Sequence, residues 1–109
     1  MTLLHLKPQP SQAYGIYIRL GITYLSRKSW EDAKQTFDKA VEIRPNSSVG
    51  WLGLGQAHLQ LSELKESEEA FNLSSIYNPL APEPGQGLSQ IRELISERHR
   101  QEYGRFSEA

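Results

Sequence analysis

Three histidines, His5, His58 and His99, are the residues best able to do chemistry in this chain, because an imidazole can hold a metal or pass a proton near neutral pH. Either task needs company at a fixed spacing: a second histidine one helical turn away, a cysteine pair, or a carboxylate in a ligand pattern. None of these accompanies the three, and the chain contains no cysteine. His58 is therefore read as a packed core imidazole. The serines fare no better, since none occupies the Gly-x-Ser-x-Gly turn that exposes a nucleophile, and the acids fall on the polar faces of helical patterns. The sequence predicts a non-enzymatic protein with no catalytic residue, no metal and no cofactor.

A second candidate for chemistry is the stretch Gly50 to His58, "GWLGLGQAH", with glycines at 50, 53 and 55. A loop that cradles phosphate needs a strand before its glycines and a helix beginning after them. This stretch lies inside a helical pattern instead, so each glycine needs its own reason. Gly55 reads as a close crossing with a second helix near Ser67, with Gly21 as its counterpart beside Ala33. Gly50 falls at the contact with the preceding helix, and Gly53 is expected to open an exposed concave face beside Leu52. Pro79-Leu80-Ala81-Pro82 fits a Pro-x-x-Pro ligand but reads more simply as a helix stop and linker. Arg98-His99-Arg100 is offset by Glu93, Glu97 and Glu102, which makes it a solvated face.

Lys and Arg total 12 against 13 Asp and Glu, a net charge of -1, so nothing draws the chain as a whole toward nucleic acid or an anionic membrane. Charge is distributed unevenly. Residues 1–47 carry seven bases and four acids (+3), residues 48–81 one base and four acids (-3), and residues 82–109 four bases and five acids (-1). Such polarity favours head-to-tail association or an oriented partner. The leading "MTLLHL" is too short for a signal-peptide core or a membrane span, and with the missing cysteines it gives the expectation of a soluble, cytoplasmic protein.

The elements that would position these residues emerge from comparing the chain with itself. Tyr17 and Trp51, Leu20 and Leu54, Gly21 and Gly55, Phe37 and Phe71, and Pro45 and Pro79 all differ by 34 in number. Apolar residues three and four apart in Tyr17, Leu20, Tyr24 and in Trp30, Ala33, Phe37, Ala40 place two helices in each unit. Ser29 with Asp32 suggests a capped start for the second helix, and Pro45-Asn46-Ser47 a stop followed by a cap. Helices are predicted near 12–26, 30–43, 47–60 and 64–77. Residues 80–87, "LAPEPGQG", read as a linker, and a helix over about 87–103 carries an apolar stripe of Leu88, Ile91, Leu94 and Ile95. Trp51, Leu20, Leu54, Phe37 and Phe71 are the expected core.

The order aromatic, Leu-Gly, aromatic, Ala or Ser, Phe and Pro in each unit resembles the tetratricopeptide repeat (TPR). Repeat one would span 14–47 and repeat two 48–81, after an N-terminal arm over 1–11 and before a linker, capping helix and tail over 82–109. The fold class implied is all-α, a short α-solenoid of helix-turn-helix repeats. His58 departs from the aromatic, and Ser67 and Ser74 from two alanines. Two repeats and a cap are fewer than such stacks normally contain, which points to a borrowed neighbour, a homo-oligomer or a piece of a longer array.

The resemblance further implies that the first helix of each pair lines a concave groove. The groove residues would then be Ile18, Ile22, Leu25, Val49, Leu52, Gly53, Gln56 and Leu59, with Gln60 beside them. Most are aliphatic, so the expected ligand is an amphipathic helix, a peptide or an adjacent repeat, with no nucleic acid and no membrane. TPR proteins that hold chaperone C-termini use Lys, Arg and Asn on this face; Ile18, Ile22 and Gly53 stand there instead. Leu3, Leu4 and Leu6 could fold back over the groove as a tethered cover. Finally, "IYIRLGITYL", "SWEDAKQTFDKA" and "WLGLGQAHLQLSELKESEEAF" resemble the TPR segments of cilia- and flagella-associated proteins. That likeness implies a structural role in a cilium or axoneme as the alternative to a general cytoplasmic scaffold.

Overall fold

The computed structural model describes residues 9–108, with side chains described through Gly104. Five helices follow one another: α1 (Pro10–Ser26), α2 (Trp30–Ile43), α3 (Ser48–Gln60), α4 (Leu64–Tyr77) and α5 (Glu83–Glu108). No strand occurs among the described residues. α1 pairs with α2 and α3 with α4, each hairpin packs on the next, and α5 closes against α4. The first helices also touch one another, α1 on α3 and α3 on α5, which creates one continuous inner surface. The molecule is elongated, measuring 74 × 28 × 19 Å.

Two aromatic rings fix the spacing of those layers. The ring of Phe37 on α2 lies between Gly21 of α1 and Gly53 of α3: a Cβ on Gly21 would stand 2.7 Å from its Cζ, and one on Gly53 2.5 Å from its Cε1. Phe71 on α4 repeats the arrangement, with a Cβ on Gly55 falling 2.6 Å from Cδ1 and one on Gly87 2.5 Å from Cζ. Such approaches are well inside van der Waals contact, so each helix comes close only because no Cβ is there. Each phenylalanine stands midway in sequence between its two glycines, and the second clasp follows the first by one repeat unit. Both rings are 1% exposed. Burial of this kind is worth about 3 kcal/mol per ring, which makes the clasps the principal joints of the stack.

Around them the sequence chemistry explains the helix ends. Ser47 Oγ accepts from Gly50 N at 2.9 Å, the N-cap expected after Pro45-Asn46, and it also meets the Tyr14 hydroxyl at 2.6 Å, tying α1 to the start of α3. Gly50 lies against Val41 of the preceding helix, as its position predicts. Ser67 and Ser74, which depart from the repeat's alanines, donate to Gly55 O at 2.7 Å and Ser48 O at 2.8 Å, so the hydroxyls become inter-helix ties. Among the described residues, no buried side-chain N or O lacks a partner. The tight turns inside both hairpins use a left-handed residue at equivalent places, Lys28 and Ser62, each with φ 61°.

The structure also corrects several expectations. Gly53 does not open the concave face; it is buried beneath Phe37, and its missing side chain serves the joint between layers. Leu20 is 39% exposed although its counterpart Leu54 is 2% exposed, because Leu54 is enclosed by helices on both sides of α3 whereas α2 and α3 flank α1 on one side only. Ser29 sits at the N-cap of α2 but makes no side-chain capping bond. Residues 83–87 are not linker: α5 starts at Glu83, with Pro84 in its first turn where no amide donor is needed. In the α5 stripe, Ile91 is buried, but Leu94 and Ile95 are 45% and 48% exposed.

Candidate functional site

The inner surface of α1, α3 and α5 holds a recess of about 310 Å³. Leu25 of α1, Trp30 at the start of α2, and Gln56, Leu59 and Gln60 of α3 form one side. Glu83, Gln86 and Gln90 of α5 form the other, and Phe71 with Gly87 forms the floor. The recess continues along the α3–α5 seam into a shallower trough of about 470 Å³ bordered by Leu59, Gln60, Gln90, Glu93, Leu94 and Glu97.

Helical geometry dictates this lining. Glu83, Gln86, Gln90, Glu93 and Glu97 recur at three and four residues, so they form one stripe along α5, opposite the stripe of Gln56, Leu59 and Gln60 on α3. Three of the sequence-predicted groove residues, Leu25, Gln56 and Leu59, meet in the cavity. Ile18 and Leu25 are only partly exposed, because each also packs against the core formed around Phe37, Leu54 and Ala57. Ile22 and Val49 are 51% and 47% exposed and, like Leu52, lie outside the cavity wall. Leu3, Leu4 and Leu6, the proposed cover, lie outside the described residues.

The α5 wall was missed by sequence reasoning, although the signal was present. Adding 34 to Val49, Leu52, Gln56 and Leu59 gives Glu83, Gln86, Gln90 and Glu93. The Pro/Gly content of 82–87 obscured it. With that wall included, the groove is mixed: aliphatic on α1, aliphatic and amide on α3, amide and acidic on α5.

A separate ionic cluster stands where α2, α3 and the start of α4 meet. His58 Nδ1 lies 2.8 Å from Glu63 Oε1, and Lys34 Nζ reaches Glu63 Oε1 at 3.2 Å and Glu31 Oε1 at 3.1 Å. His58 is thus packed, as expected from its place in the repeat, but it has a carboxylate partner five residues on. The hydrogen bond from His58, followed by that from Lys34, holds the Glu63 carboxyl below the ordinary range. Burial works against the Lys34 charge, but the bonds to Glu31 and Glu63 outweigh it and raise that amine. Burial pushes the nearby Asp38 carboxyl up. The cluster joins three helices and lines neither the recess nor the trough. Among the described residues no group of three or more His, Asp or Glu is arranged to hold a metal ion.

The fold and groove define a class: an all-α solenoid of stacked helical hairpins with a concave inner face. Residues 14–47 match the family model of the tetratricopeptide repeat, and the second hairpin reproduces that unit's helices, turn and glycine clasp. The chain is 41% identical over 68 residues to cilia- and flagella-associated protein 70 of Homo sapiens, as it is to that of Macaca fascicularis. The match covers 62% of this chain and 6–7% of those relatives, so the chain spans less than a tenth of their length. Heat shock protein STI1 of Saccharomyces cerevisiae is 29% identical over 86 residues, covering 79% of this chain and 15% of that protein. Superkiller protein 3 of Schizosaccharomyces pombe is 33% identical over 60 residues, 55% of this chain and 4% of the relative. Tetratricopeptide repeats are typically protein-interaction modules. Among the described residues, no helix is long and apolar enough to cross a membrane.

Proposed function

We propose that this chain is a non-enzymatic scaffold that takes a partner's helix or peptide in the groove formed by α1, α3 and α5. The carrying observation is the 310 Å³ recess, which combines apolar surface from Leu25, Trp30 and Leu59 with amides from Gln56, Gln86 and Gln90. Recesses of that size and mixture suit one anchoring side chain flanked by hydrogen-bonding groups. A few such anchors, each worth about 1.5–3 kcal/mol before ordering is counted, sustain micromolar binding. Ile22 and Gln56 are exposed, so Ile22→Asp and Gln56→Arg change the groove without touching the core. Partners selected from a random peptide display library by the wild type should lose at least about tenfold in affinity to both variants. Selected peptides that bind both variants undiminished would place the binding surface elsewhere.

A structural, self-associating role is the second reading, and one observation favours it. Ile16 and Leu20 are 53% and 39% exposed on the outer side of α1, where the next layer of a stack would rest. Together with the likeness to a cilia- and flagella-associated protein, this supports an assembly subunit of a cilium or flagellum as the alternative to a cytoplasmic scaffold. Sedimentation across the micromolar range decides it: the reading requires concentration-dependent oligomers that Leu20→Glu dissolves, and a monomer throughout excludes it.

A further inference from the structure

The three rows of groove residues change character in one direction. Equivalent positions read Ile18, Ile22 and Leu25 on α1, then Leu52, Gln56 and Leu59 on α3, then Gln86, Gln90 and Glu93 on α5. Side chains thus pass from aliphatic on α1, through aliphatic and amide on α3, to amide and acidic on α5, with Glu83 and Glu97 extending the acidic edge. Neither the recess nor the trough is lined by a Lys, Arg or His. Glu83, Glu93 and Glu97 are exposed, and the ion pairs formed among the described residues do not involve them. Arg92 faces away from the groove, in a hollow it shares with Glu68; Arg98 and Arg100 lie beyond both cavities, Arg100 one turn past Glu97 where it ends the acidic edge.

We propose that the groove selects a cationic amphipathic segment of another protein, oriented with its apolar flank on α1 and its Lys or Arg side chains on the Glu93–Glu97 edge of α5. This rests on the groove reading above and specifies the ligand's chemistry and direction. Carboxylates with no internal partner attract a cation that arrives already paired with apolar contacts, whereas an acidic segment would meet like charge at Glu93 and Glu97. Gln56, Gln60, Gln86 and Gln90 each offer a donor and an acceptor, so they accommodate the ligand's neutral polar groups without favouring either sign. Glu93 and Glu97 stand one helical turn apart, about 6 Å along the axis, which matches two cations spaced four residues apart on a partner helix. Glu83 contributes less, because it lies in the first turn of α5 and its charge is already offset by that helix's N-terminal dipole. The chain's net charge of -1 is too small to collect cations generally, so the selection is local to this edge.

The test uses the full chain and two labelled 18-residue amphipathic peptides with identical leucine spacing, one carrying Lys and one carrying Glu on the polar face. The Lys peptide should bind about fivefold to tenfold more tightly, by an advantage that shrinks as salt rises. The double variant Glu93→Lys, Glu97→Lys should reverse the preference; both sites are exposed, and an unchanged thermal midpoint confirms an intact fold. Equal binding of the two peptides, abolished by Ile22→Asp, would overturn the charge selection and leave the groove standing. Failure of both peptides to bind overturns the two proposals together. Dimers of the chain alone that the double variant dissolves would show that a second copy, through its positively charged first half, is the occupant, and would overturn the assignment to another protein.

Discussion

Phe37 and Gly53 show how a single hydrogen atom can be structural. A methyl group on Gly53 would overlap the ring rim, and a buried aromatic ring held on its other side by Gly21 has nowhere to move. Gly53→Ala should therefore destabilise by about 1–3 kcal/mol in urea denaturation despite gaining helix propensity. Phe37→Leu should recover part of that loss in the double variant by withdrawing the ring rim, giving a non-additive cycle. Strict additivity would mean that the two residues do not share the contact. The aromatic, leucine and glycine positions were legible because each recurs at the same offset in the second unit. Gly53 was not, since its counterpart Gly87 lay in a stretch read as linker, and only the packed ring explains both.

Also at the residue scale, Glu63 links acidity to stability. Its folded pKa is depressed, chiefly by the hydrogen bond from His58, below the ordinary 4.5. The contribution is thus present above pH 4.5 and lost as the pH falls through the lower, folded value. Glu63→Gln should be less stable than the wild type at pH 6, with the gap narrowing as the pH falls below 4.5. A gap that does not change with pH would show that the glutamate acts by packing. Lys34 contributes with the opposite sense: its raised pKa makes its share complete below 10.5 and lost as the pH climbs through the folded value. The His58–Glu63 bond was invisible in the sequence because a separation of five residues spans the turn between α3 and α4 and matches no one-helix spacing.

Among the elements, α5 differs most from its equivalents. α1 and α3 turn back after 17 and 13 residues, whereas α5 runs for 26, about 39 Å. Its first half carries the buried residues Pro84, Gly87 and Ile91, and every residue from Arg92 to Tyr103 is exposed. Protection against amide hydrogen exchange should accordingly be high near Ile91 and fall steeply after Ile95, because the distal turns lack tertiary packing. Uniform protection to the end of α5 would require a partner surface for that segment. Helices α2 and α4 stand where the 34-residue offset, the three-and-four spacing and the proline stops place them, since each buries one face. The start of α5 was obscured because proline and glycine normally punctuate loops, yet the first turn of a helix tolerates proline and the Phe71 joint demands glycine.

For the molecule as a whole, the groove's sidedness and the longitudinal charge pattern are different properties. The +3 and -3 segments sum every face of residues 1–47 and 48–81, while the aliphatic-to-acidic change follows the same direction along the stack but is confined to the inner face. Composition exposed the former. The latter needed the fold, because the side chains concerned come from three helices, each a full repeat unit away from the next in sequence.

The ring-and-glycine joints also make the chain extensible. Duplicating residues 47–80 in tandem would supply a new Gly53 to receive the existing Phe71 and a new Phe71 to meet the existing Gly87, with Ser47 again in place as a cap. Both couplings would be complete without altering any other residue. The segment therefore works as an interchangeable part, and the length of the inner face could be set by how many copies are spliced in.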